Sequence, residues 1–106
     1  MMLDFTKMKK KFMTVKLDED TILYVGTPRK RDLDNMLASK SVLSSEDMSQ
    51  EDINLAYDMV ADLLSNNKNK KKITGEYISD IFGLEDIVIF LEEYMKFVQS
   101  AIQTKN

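Results

Sequence analysis

The chain has 106 residues, 43% of them hydrophobic and 31% charged, with a net charge of −3. That length and balance describe one folded domain with a modest core, and they exclude a disordered protein. The absence of cysteine and histidine excludes disulfides, thiolate metal sites, the commonest zinc ligand and the commonest general base.

The acidic balance argues against nucleic acid as the main partner. No apolar run approaches the roughly 20 residues of a membrane span. The basic start, MMLDFTKMKKKF, lacks the long apolar stretch of a secretory signal. The expectation is a soluble domain with no membrane partner, not exported by a standard signal.

Residues 1–10 read as a terminal tail or a weak first strand. Asp4 and Phe5 are followed by Lys7, Lys9, Lys10 and Lys11, a charge run of the kind that forms a solvated arm. From residue 11 to 17 the pattern alternates, with Met13, Val15 and Leu17 on one face and Phe12, Thr14 and Lys16 on the other. Asp18, Glu19 and Asp20 make a polar turn, and residues 21–26 (TILYVG) make a second strand rich in β-branched and aromatic residues. The two strands predict a β-hairpin over 11–26. A lone ribbon is marginal in water, so it must lie on helices or pair with another chain. The acidic turn lacks the glycine and distal glutamate of a calcium loop.

Thr27 and Pro28 signal a helix start, with Thr27 as cap and Pro28 in the first helical position. Leu33, Met36 and Leu37 form its apolar stripe. Arg29, Lys30 and Arg31 crowd the positive end of the helix dipole, partly offset by Asp32 and Asp34. Such a turn is either a solvated helix start or a contact for an acidic surface or phosphate. Residues 39–48 (SKSVLSSEDM) read as the connection to the next helix.

Ser49 caps that helix, with Asp52 three residues on in a capping-box arrangement. Ile53, Ala56, Tyr57, Val60 and Leu64 supply its buried stripe, while Glu51, Asp58 and Asp62 face away. Tyr57 reads as a core aromatic with its hydroxyl at the rim. The helix ends by Ser65, because Asn66, Asn67, Lys68 and Asn69 are turn formers. Lys70, Lys71 and Lys72 extend a solvated loop, with no aromatic platform or arginine fork beside them to bind nucleic acid.

Thr74 caps a third helix. Ile73 before it packs on Ile78 as a hydrophobic staple, and Gly83 ends the helix in a left-handed conformation. The last helix begins near Leu84, with Glu85 and Asp86 at its positive end. On a helical wheel Leu84, Ile87, Val88, Leu91, Tyr94, Met95, Val98 and Ile102 form one arc, which Phe90, Phe97 and Ala101 extend to about half the circumference. Ile89 falls on the opposite, polar face. So wide an arc either packs against two neighbours or leaves Phe90 and Phe97 as a docking edge.

No catalytic constellation can be assembled. Nucleotide-binding glycine motifs are absent, and the paired acids are adjacent residues that do not face each other on a helix. The expected fold is α+β, mostly α: a single domain over 1–106, with an N-terminal β-hairpin followed by a bundle of about four helices over 28–103. The expected function is non-enzymatic and calls for no cofactor or metal. The candidate protein-binding residues are Phe90, Phe97, Ile89 and Tyr94 on the last helix and Arg29, Lys30 and Arg31 on the first.

The Leu3-Asp4-Phe5 start with its lysine-rich strand, the segment YVGTPRKRDLDNML and the segment ITGEYISDIFGLEDIVIFLEEYMKFV resemble the small tail assembly chaperones of long-tailed phages and prophages of Gram-positive bacteria. The similarity is strongest over residues 25–37 and 73–98. What the resemblance implies is a protein in the cytoplasm of the bacterial host that coats the tape measure protein and brings tube subunits, the major tail protein, to it. Eight methionines suit an adaptable helix-binding surface. Two alternatives are a small phage regulator binding DNA through Arg29–Arg31 and Lys70–Lys72, and a self-associating structural protein that uses the hairpin edge or Phe90 and Phe97.

Overall fold

A computed structural model describes residues 11–43 and 48–103. The fold is α+β and mostly α, an antiparallel hairpin followed by four helices. The expected arm over residues 1–10 lies outside the described residues.

Strand β1 (Met13–Asp18) pairs with β2 (Thr21–Val25) in the register Met13–Val25, Thr14–Tyr24, Val15–Leu23 and Lys16–Ile22. A bulge at Leu17 then brings Asp18 opposite Thr21. The alternation holds. Thr21, Leu23 and Val25 are buried, with Met13, Val15 and Leu17 packed beside them. Phe12, Ile22 and Tyr24 stand on the outer face, where the Lys68 ammonium lies 5.7 Å from the Phe12 ring centre, a cation–π contact.

Helix α1 (Lys30–Leu43) starts two residues later than the Thr-Pro signal predicts. Arg29 is its cap: the Leu33 N–H donates to the Arg29 carbonyl at 3.0 Å, and the Asp32 carboxylate accepts from the Arg29 N–H at 3.3 Å. The Asp32 carboxylate, buried in the first turn, closes the start of the helix at Arg29. The helix also runs on through residues 39–43, which the serine content assigned to the connection; residues 44–47 lie outside the described residues. Of its expected stripe, Met36 is buried, Leu33 half-buried and Leu37 exposed.

Helix α2 (Gln50–Ser65) is the centre of the domain and touches β2, α1, α3 and α4. Both bonds of the Ser49–Asp52 capping box form, at 3.1 and 3.2 Å. Because α2 has neighbours on several sides, its buried face is wider than one stripe. Ala56, Met59, Val60, Ala61, Leu63 and Leu64 are all buried, while Ile53 and Tyr57 are half-buried. The Tyr57 hydroxyl donates to the Phe82 carbonyl at 2.9 Å, which fixes α3 against α2.

Thr74 caps α3 (Gly75–Ile81) through the Tyr77 N–H, and Ile73 and Ile78 are both buried in the core, as a staple requires. Gly75 lies so close to α2 that an added Cβ would collide with the Asp58 carboxylate. Gly83 does not take the left-handed conformation. Helix α3 ends with Phe82 extended, and Gly83 instead caps α4 (Leu84–Gln103). Its carbonyl accepts from the Asp86 and Ile87 N–H groups, and its own N–H donates to the Asp86 carboxylate at 2.8 Å.

The Tyr77 hydroxyl reaches the far end of the hairpin and donates to the Asp18 carboxylate at 2.7 Å. That bond, helped by the Asp20 N–H, holds the Asp18 carboxyl below its ordinary value of 3.8, and the same bond raises the Tyr77 hydroxyl. The contribution of Asp18 to stability is complete above its ordinary value and is lost as pH falls through the lowered one. Tyr77→Phe is expected to be less stable than the parent at neutral pH. In urea titrations over a pH series the two should converge once Asp18 is protonated; a gap that stays constant into strong acid would assign the effect to packing.

Candidate protein-binding surface

Of the four candidates on α4, two belong to the core. Phe90 is 6% exposed and stacks on Tyr94, with ring centres 5.4 Å apart and planes 18° off parallel. Tyr94 is fully buried, and its hydroxyl donates to the Gly26 carbonyl at 2.8 Å, where the chain leaves β2. Burial, and then the nearby Asp32 charge, push that hydroxyl far above the ordinary tyrosine range, with Arg29 opposing. Tyr94 is therefore a permanent neutral donor. Phe97 is half-buried, 5.9 Å from the Tyr94 ring, while Ile89 is 56% exposed on the polar face. The expected Phe90–Phe97 edge is a correction: one ring is enclosed and the other is partly packed.

The physical reason is the hairpin. Helix α4 covers α2 and also delivers Tyr94 to the end of β2, so its buried face of Phe90, Tyr94, Ile87, Val98 and Leu91 is turned by roughly 20° from the centre of the sequence-derived arc, toward Phe90. Rotation in that direction uncovers the opposite flank. Leu84, Val88 and Ile102 are exposed and Met95 is half-buried, and the four lie within about 40° of one another around the helix.

Together with Leu91 and Val98, these residues recur at intervals of four, three, four, three and four along α4. That is the seam spacing of a helix that packs lengthwise on another helix. Glu85, Glu92 and Gln99 are exposed along its border, so the seam is apolar with an acidic margin. The heptad interval was the sequence signal that could have found it.

The basic turn is largely committed within the chain. Arg29 grips Asp32 with two bonds, Nε to Oδ2 at 2.9 Å and a terminal nitrogen to Oδ1 at 3.3 Å, and Asp32 is buried. That hydrogen bond and the Asp32 charge raise the Arg29 guanidinium, with a smaller contribution from Asp62. Lys30 bonds Asp34 at 2.9 Å on the surface. Arg31 is exposed and has no ion pair among the described residues. Two of the three basic side chains are thus taken up by carboxylates of the same helix turn.

The asparagine loop is exposed from Lys68 to Lys72, as expected of a solvated connection, and it is also a built structure. The Lys68 N–H donates to the Tyr24 carbonyl at 2.8 Å, the Tyr24 N–H to the Asn69 side chain at 3.1 Å, and the Gly26 N–H to the Asn66 carbonyl at 2.9 Å. Asn67 bridges to Val25. The loop thus lies along β2 as a partial third strand. Lys70 takes a left-handed conformation, with φ of 58°. A shallow cleft of about 460 Å³ separates Lys70, Lys71 and Lys72 from Asp62, Ser65 and Asn67; the carboxylate in its wall makes it a poor receptor for anions.

Among the described residues, no cluster of carboxylates could hold a metal ion and no helix is long and apolar enough to cross a membrane. The chain matches no protein-family model, no curated protein and no solved structure.

Proposed function

We propose that this protein is a non-enzymatic tail assembly chaperone, acting in the cytoplasm of a bacterial host on the tape measure protein and major tail protein of a long-tailed phage. The observation that carries the reading is the uncovered apolar flank of α4, Leu84, Val88, Met95 and Ile102, at the interval that a long amphipathic helix needs in a partner. Its acidic border favours a client helix flanked by lysine or arginine. The resemblance of residues 25–37 and 73–98 to such chaperones supplies the identity of the client.

Co-expression with the tape measure protein of the same phage tests the reading. The expected result is a soluble complex that co-purifies, and its loss in the Val88→Asp, Ile102→Asp double variant. Both positions are exposed, so the melting temperature of the variant should stay within a few degrees of the parent. A tape measure protein whose solubility and recovery are the same with and without this chain would end the proposal.

A further inference from the structure

Among the described residues, one edge of the hairpin is covered and the other is not. Tyr24 turns its N–H to Asn69 and its carbonyl to Lys68, and Gly26 likewise turns its N–H to Asn66. Both residues therefore point their backbone groups away from β1. In an antiparallel ladder that makes Tyr24–Thr14 a non-hydrogen-bonded pair. Its partner Thr14 must point its own N–H and carbonyl out of the opposite side, and so must Lys16 two residues on. Among the described residues no strand or loop pairs with that side of β1.

We infer that the open edge of β1 pairs with the same edge of a second copy of this chain, in a two-fold antiparallel arrangement centred on Val15. The centre follows from the backbone pattern. With Val15 opposite Val15 of the second copy, Thr14 faces Lys16 of that copy, and these two residues own the outward N–H and carbonyl groups. Each such pair can exchange both bonds, and symmetry repeats it. The same register keeps faces together: Met13 meets Leu17 of the second copy on the inner, apolar side.

Charge complementarity selects a second copy over an unrelated strand. The chain is basic where it enters β1, at Lys11, and acidic where it leaves, at Asp18, Glu19 and Asp20. Antiparallel self-pairing lays the basic start of one copy, at Lys11, toward the acidic turn of the other, at residues 18–20. Glu19 is 92% exposed even with Lys16 at 3.4 Å, so its carboxylate stays open to a second cation. The Leu17 bulge ends the ladder early. The contact is smaller than the roughly 800 Å² per partner of a standard interface, so dimerisation is reversible and set by concentration.

Sedimentation across a wide concentration range at low salt tests the pairing. Dimer should accumulate with concentration in the parent protein. Thr14→Pro should be monomeric throughout with an unchanged circular dichroism spectrum, because the N–H it removes is not used by β2 and proline is tolerated at an edge. Should that variant fail to fold, a charge exchange decides. Lys11→Glu or Glu19→Lys should each weaken the dimer about tenfold, and the two together should restore it. The two residues flank β1 at its opposite ends, so rescue can occur only between copies. A parent that stays monomeric at every concentration, a folded Thr14→Pro that still dimerises, or a double variant without rescue would overturn the pairing.

Discussion

Phe90→Asp is expected to leave the domain largely unfolded at room temperature. Phe90 is 6% exposed, and its ring lies flat on Tyr94 at 5.4 Å. Removing a buried phenylalanine side chain costs about 3–5 kcal/mol, and placing a carboxylate in the apolar site adds a further penalty of desolvation. A small domain has a total stability of about 5–15 kcal/mol, so the substitution consumes most or all of it. Circular dichroism with urea titration checks this: the parent should show a cooperative transition and the variant little or none. Phe97→Asp should be milder, since that ring is already partly in water. A folded Phe90→Asp protein that has lost only partner binding would return Phe90 to the docking surface. Set beside the Val88→Asp, Ile102→Asp pair, the result separates the two flanks of one helix, one needed for folding and the other for binding.

The width of the apolar arc could not tell the two flanks apart, and the reason is physical. A wheel reports how wide an apolar arc is; it does not report which neighbours cover it. The arc of α4 was legible because its residues repeat with the helical period. Its orientation was set by Tyr94 reaching Gly26, a contact across 68 positions that no periodicity contains. Local devices were read well for the same reason in reverse. The Ser49–Asp52 box, the Thr74 cap with its Ile73–Ile78 staple and the alternation of the hairpin each depend on residues a few positions apart.

Where two local signals competed, proximity in space decided. Thr27 signalled the start of α1, and the helix begins instead after Arg29, whose N–H and side chain the buried Asp32 carboxylate holds. Gly83 could end α3 or begin α4, and Asp86 made it a beginning. The basic first turn of α1 read as a surface feature until Asp32 and Asp34 were found to take up Arg29 and Lys30. Which edge of the hairpin is covered, by contrast, depends on the asparagine loop, whose bonds to Tyr24 and Gly26 span about forty positions or more and have no local signal.

That loop yields the second large effect. Asn67→Ala is expected to destabilise the domain by about 2–3 kcal/mol, at about 1 kcal/mol for each hydrogen bond lost. Its amide donates to the Leu64 carbonyl and to the Lys71 carbonyl, both at 2.7 Å, and its side-chain oxygen accepts from the Lys71 N–H at 2.9 Å. These bonds fold the loop back on itself and hold Lys70 left-handed, a conformation that costs a non-glycine residue about 1–2 kcal/mol. With Asn67 gone the loop has a reason to relax, and the bonds it lends to β2 relax with it. The loss should be uneven in hydrogen exchange. The Tyr24, Gly26 and Lys68 amides, which join hairpin and loop, should lose more protection than the interior of α2. Asn67→Asp, which keeps the acceptor for Lys71 but loses both donated bonds, should fall short of the parent at the same amides. If Asn67→Ala changed stability by less than about 0.5 kcal/mol and left Tyr24 and Gly26 as protected as before, the loop would be the solvated connection its composition suggested. The hairpin would then be held by its buried face around Leu23 and Val25 and by the Tyr94 and Tyr77 hydroxyls.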